Sequence, residues 1–175
     1  VPLFECDPWQ CRRHSDRLRA VSDPVAASRD RDDPLLLDRQ ICFPLYAATN
    51  LLNRRYGPVL RPLGLTYPQY LVMLVLWEEE PQTVGGLGAR LYLDSGTLTP
   101  LLKRMEAAGH VTRSRDPDDE RRVVIGLTEK GRALREEAMH VPETIARGRT
   151  PDDIEELGNS VRKLVAMLAD QKSED

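Results

Sequence analysis

The sequence predicts a mainly helical fold with a small β-hairpin wing, in the order of a winged helix-turn-helix. Three observations carry this. Beyond residue 34, apolar residues recur every three to four positions over most of the chain, the period of a helix face. Just after Gly109 the period falls to two, in two short stretches separated by Asp116-Pro117-Asp118-Asp119-Glu120, a turn cluster. Two short helices joined by a tight turn come directly before this hairpin, which is how a helix and a wing are brought to DNA together.

Residues 1–34 stand apart. Pro2, Pro8, Pro24 and Pro34 break the stretch, and six Arg accompany seven Asp or Glu. No apolar face recurs there, so a mostly disordered tail is expected. It lacks the continuous apolar run of a secretory signal. The folded body is expected over 35–175. Its first helix, about 36–61, places Leu37, Ile41, Leu45, Ala48, Leu52 and Tyr56 on one face. Pro44 either kinks this helix or starts it afresh, because its ring lacks an N–H and collides with the carbonyl of Gln40. Pro62, Gly64 and Pro68 mark a break. The run Tyr70 to Trp77 is apolar all round, so the helix from about Tyr67 to Glu79 should be central.

Thr83 opens a short helix ending near Leu91. The next starts near Asp94 and ends at Gly109, with Thr99-Pro100 offering a second start. The hairpin strands are expected over 110–115 and 122–127. Thr128 caps a helix running to about His140, stopped by Pro142. The last helix, about 151–171, begins at the pair Thr150-Pro151. It carries Ile154, Leu157, Val161, Leu164 and Leu168 at spacings of three and four, a seam that wants a partner helix.

Composition narrows the function. The chain has 175 residues and a formal net charge of −3, and 41% of it is hydrophobic, enough for a real core. No apolar run approaches the ~20 residues of a membrane span, so no membrane role is expected. Three cysteines exclude a disulfide scaffold and suggest a reducing, cytoplasmic setting. With a net negative charge, any nucleic-acid role must rest on a local surface.

That surface is expected over about 83–128. The second of the two short helices begins with Ser95, Gly96, Thr97 and Thr99, small polar residues suited to a groove, and continues to Lys103 and Arg104. Its first amides can receive a phosphate. The hairpin carries Arg113, Arg115, Arg121 and Arg122, and arginine at a wing tip suits a narrow minor groove. From Thr83 to Gly126 there are seven Lys or Arg against six Asp or Glu, so placement and not excess charge makes the signal. The plainer alternative is a helical domain with an ordinary solvated hairpin.

At these residues the chain resembles a known family. Asp119-Glu120-Arg121, with Leu127-Thr128 closing the second strand, resembles the wing signature of MarR-type transcriptional regulators. Three stretches are similar to the organic-hydroperoxide-sensing (OhrR-type) repressors of that family. They are Arg39 to Ala47 (RQICFPLYA), Leu65 to Leu71 (LTYPQYL) and Leu91 to Leu101 (LYLDSGTLTPL). The likeness covers about residues 36–170. It implies a repressor without catalytic turnover or cofactor, and a homodimer whose first and last helices pair. It also implies two recognition helices about 34 Å apart over a pseudo-palindromic operator of double-stranded DNA.

The resemblance further implies that Cys42 is a peroxide sensor, with Tyr56 and Tyr67 hydrogen-bonding its sulfur. Tyr46, one turn on from Cys42, is a candidate for lining the same pocket. Arg39 is within helical reach of Cys42. Attack on a peroxide needs the thiolate, which these donors and a helix start would favour. Organic hydroperoxide would give a sulfenic acid and then a disulfide, a sulfenamide or further products. No cysteine follows Cys42, so a low-molecular-weight thiol is the expected partner, although Cys6 or Cys11 is an alternative. Cys6, Cys11 and His14 lack a fourth ligand, so no metal is expected. An inert, buried Cys42 is the plain alternative. A second functional reading is a regulator that answers a small aromatic ligand with Cys42 passive, and a third is a thiol peroxidase.

Overall fold

A computed structural model describes residues 33–170. The expected tail lies outside the described residues, apart from Asp33 and Pro34. The chain divides into two units between Leu45 and Tyr46. In the described part of the first, a 3-10 turn spans Leu37–Arg39 and helix α1 (Cys42–Leu60) begins. Gln40 is extended, at φ −85° and ψ 115°. Residues 36–41 therefore lie outside the helix expected from about 36. Pro44 falls in the first turn of α1, where a missing N–H costs nothing, so the fresh start holds and the kink does not. Pro58, which the periodicity passed over, sits in the last turn.

The second unit holds the core. Thr66 donates its N–H to Gln69 Oε1 at 2.8 Å and opens α2 (Tyr67–Glu78). Val72, Met73 and Leu76 of α2 are fully buried, as an all-apolar helix requires. Thr83 Oγ1 accepts the Gly86 N–H at 3.0 Å and caps α3 (Val84–Leu91). Tyr92, in the left-handed region at φ 54°, turns the chain into α4 (Ser95–Ala107). This turn presses on Gly88, where a Cβ would lie 2.7 Å from the Leu93 carbonyl oxygen. Asp94 Oδ1 accepts the Thr97 N–H at 2.9 Å. The helix thus starts at Ser95, and Pro100 lies inside it and does not begin it.

Strands β2 (Val111–Arg115) and β3 (Val123–Leu127) form the hairpin, with Val111 opposite Leu127 and Arg115 opposite Val123. A two-residue strand β1 (Gln82–Thr83) adds to the free edge of β3, giving the antiparallel order β1-β3-β2. Two residues carry no readable period, so sequence could not reveal β1. Thr128 Oγ1 accepts the Gly131 N–H at 2.9 Å and caps α5 (Glu129–Ala138). Pro142 does not simply stop that helix. It lies in the first turn of a further one, α6 (Val141–Ala146), which the sequence reading missed.

Helix α7 (Pro151–Asp170) follows Thr150, whose hydroxyl accepts the Asp153 N–H at 3.2 Å. No residue of α7 is buried, and Ile154, Leu157, Val161 and Leu168 of its seam are exposed. Leu60, Leu87, Leu98, Leu102, Met105, Ile125 and Val141 are fully buried in the same core. Among the described residues no helix is long and apolar enough to cross a membrane.

Candidate nucleic-acid interface and thiol site

Helix α4 has two faces. Leu98, Leu101, Leu102 and Met105 are buried against the core, and Ser95, Gly96, Thr97, Lys103 and Arg104 are exposed opposite them. Thr99 is half-buried. Thr97 is already engaged by the cap, since its N–H and its hydroxyl both donate to the Asp94 carboxylate, each at 2.9 Å. These two bonds, the backbone one foremost, hold Asp94 below the usual carboxylate range. Thr97 can therefore meet a base edge only as an acceptor. Asp94 keeps a negative charge at the end of α4 where a phosphate would otherwise be drawn.

The wing tip is ordered by its acids. Asp118 donates its N–H to Asp116 Oδ1 at 3.0 Å, and Arg121 donates its N–H to Asp119 Oδ1 at 3.1 Å. The Arg121 Nε also donates to Asp119 Oδ1, at 3.0 Å, and this hydrogen bond is the main cause that holds Asp119 low. Such an exposed pair adds little stability. What it does is aim a guanidinium that is 92% exposed. Arg115 is also exposed, at the end of β2. Arg113 is different: it is half-buried and lies 3.5 Å from Glu106, joining the wing to α4. A cleft of about 700 Å³ brings Thr83, Thr99, Arg113, Arg121 and Arg122 together between α3, α4 and the wing.

The base of the wing has its own fastening, which the sequence reading missed. Glu80 Oε2 accepts the Leu127 N–H at 2.8 Å. Arg132 of α5 donates twice to the same carboxylate, at 2.7 and 3.0 Å. The Arg132 hydrogen bond is the leading cause that keeps Glu80 low. A partner 52 residues away in sequence leaves no local signal.

Cys42 is exposed at the first residue of α1. Tyr46 is also exposed. Within the second unit, Tyr56 and Tyr67 are brought together, with ring centroids 4.6 Å apart and tilted by 42°. Tyr70 joins them at 6.0 Å from Tyr56, and Trp77 lies 6.3 Å from Tyr70, edge to face. Burial pushes the Tyr56, Tyr67 and Tyr70 hydroxyls above the ordinary value, with neighbouring tyrosines adding to the effect at Tyr56 and Tyr70. They therefore remain protonated donors at neutral pH. The sequence alone marks Tyr70 and Trp77 only as core. Their spacing of three and ten from Tyr67 on one helix was the available signal. The Cys6, Cys11 and His14 group lies outside the described residues.

The fold and these surfaces define a winged-helix regulator. Residues 54–138 match the family described as Transcriptional regulator SarA/Rot. The chain is 53% identical over 142 residues to the HTH-type transcriptional regulator TtmR of Methylorubrum extorquens, covering 78% of this chain and 73% of that one. It is 46% identical over 138 residues to the Organic hydroperoxide resistance transcriptional regulator of Bacillus subtilis, covering 78% and 94%. Among solved structures, reduced AbfR bound to DNA is similar with a TM-score of 0.63 and 38% identity, over 76% of this chain and 94% of that one. AbfR is a protein of Staphylococcus epidermidis. The chain belongs to the MarR family of transcriptional regulators, in its organic hydroperoxide resistance (OhrR-type) group. It is a regulator and not an enzyme.

Proposed function

We propose that this chain is a cytoplasmic, homodimeric repressor that holds a pseudo-palindromic DNA operator while Cys42 is reduced and releases it when an organic hydroperoxide oxidises Cys42. The observation that carries the reading is an exposed cysteine at the start of α1, in a chain 46% identical to a regulator of organic hydroperoxide resistance. The Cys42 thiolate attacks the O–O bond, taking one oxygen and releasing the alkoxide, which is protonated to the alcohol. The product is a sulfenic acid. A low-molecular-weight thiol then displaces water from it, leaving a mixed disulfide. Tyr56, Tyr67 and Tyr46 are assigned to the sulfur's surroundings. The first two supply protonated donors that favour the anion and lose that partner once it is oxidised.

In the same reading, Ser95, Gly96, Thr97 and Thr99 meet the major groove, and Lys103 and Arg104 meet phosphates. Arg115 and Arg121 carry the wing to the adjacent minor groove. The apolar faces of α1 and α7 form the dimer interface. Leu51, Leu52, Leu157 and Val161 are left exposed on them, and covering such apolar area is favourable. The deciding experiment is titration of labelled operator with reduced and hydroperoxide-treated protein. Wild type should lose binding on treatment and Cys42→Ser should not. Equal release of the substituted protein would remove the sensor role.

A further inference from the structure

We propose that α2 is a lever between the tyrosine pair and the wing, with Trp77 and Glu80 as the positioning residues at its wing end. This rests on the redox reading above. The near end of the lever is Tyr67, the first residue of α2, whose ring packs at a tilt against Tyr56. From there the ring contacts pass from Tyr56 of α1 to Tyr70 of α2 at 6.0 Å and along α2 from Tyr70 to Trp77 at 6.3 Å. A helix of 12 residues reaches about 18 Å. Its inner face, Val72, Met73 and Leu76, is fully buried. A rod set in a close-packed interior shifts as a unit and does not bend.

The far end is fastened at three points to the wing's base and to the start of α5, which follows β3 directly. The Trp77 indole Nε1–H donates to the Gly131 carbonyl oxygen at 2.9 Å. Glu80 accepts from the Leu127 N–H, the last residue of β3, and from Arg132 in the first turns of α5. Two residues further on, β1 pairs with β3, Gln82 opposite Ile125. The joint itself has no slack. A Cβ on Gly131 would lie 2.1 Å from the His110 carbonyl oxygen, just before β2. Any displacement of the tyrosines along α2 is therefore delivered to both strands of the wing. The Glu80–Arg132 pair is exposed enough to add little stability. Its directional bonds to a strand-end amide set orientation instead.

The test compares the release factor, meaning the ratio of operator Kd after hydroperoxide treatment to Kd in the reduced state. Mass spectrometry checks that Cys42 is oxidised to the same extent throughout. Glu80→Gln keeps an acceptor for Leu127 but removes the ion pair, and Trp77→Phe keeps the ring but removes the indole N–H. In both, reduced-state Kd should stay within about threefold of wild type while the release factor falls about tenfold, a typical inter-site coupling. A second readout is emission from Trp77 in a Trp9→Phe background, which should change when Cys42 is oxidised. An unchanged release factor in both variants overturns the lever, as does a silent Trp77. So does a parallel loss of reduced-state affinity and thermal stability with the factor preserved, the mark of a merely structural role. If wild type with oxidised Cys42 keeps its operator, the redox reading fails first.

Discussion

Gly131 and His110 show how closely the wing is set on the helices. A Gly131→Ala side chain would meet the His110 carbonyl oxygen at 2.1 Å, a backbone atom that cannot turn away. We expect destabilisation at the upper end of the ~1–3 kcal/mol typical of overpacking, read as a lowered urea midpoint. His110 is only 3% exposed, and its Nδ1 has no hydrogen-bond partner among the described residues. Burial, with the nearby Lys130 charge adding, holds its pKa below the ordinary value of 6.5. Below pH ~6.5 the unfolded chain therefore binds the proton more readily than the folded one, and stability falls as pH drops through that window. Thermal unfolding at pH 7.5 and pH 5.5 should show this difference shrinking in His110→Leu. At the wing tip, Arg121→Ala should weaken operator binding and flatten its salt dependence by about one unit of slope per subunit. An unchanged slope would take the tip away from the phosphates.

At the scale of elements, each helix on the candidate DNA face starts at a polar cap, and α4 depends on Asp94. Asp94→Ala removes the acceptor for the Thr97 N–H and hydroxyl, so the first turn of α4 should fray. Operator affinity should fall by more than global stability does, because Ser95, Gly96 and Thr97 all stand in that turn. Hydrogen exchange of the residue 95–99 amides, compared with Leu102, would show the effect locally. Helix α7 makes the opposite case. Its seam was legible as a 3-4 repeat, and the structure leaves it without buried residues in a single chain. Val161→Glu should turn a dimer into a monomer in sedimentation, with little change in the helix content of each chain.

At the scale of the whole molecule, the proposed function needs two recognition helices held one turn of DNA apart, about 34 Å. Half-sites moved apart by five base pairs should be bound hardly better than a single half-site, since the second helix would face the wrong side of the duplex. The acidic net charge of −3 has a consequence here as well. Non-specific DNA affinity should be low at physiological salt, because the cations of the wing and α4 act within a chain whose acids outnumber its bases.

What the chain alone determined is what local chemistry controls. Its caps at Thr83, Thr128 and Thr150, the glycine stop at Gly109, the wing's turn acids and the α7 seam all act within a few residues, so their meaning survives in one dimension, whereas the choice between Asp94 and Thr99 as the start of α4 was left to the structure. Even Pro44 was legible down to two outcomes. Strand β1 is too short to show a period, and it exists only because β3 offers it a free edge. Helix α6 holds Pro142 in its first turn, where the sequence alone reads that proline as a stop. The Glu80–Leu127 and Trp77–Gly131 bonds span 47 and 54 residues. Those features were decided by the tertiary structure, because a hydrogen bond between distant segments forms only after the core has brought them within 3 Å, and no neighbouring residue records it.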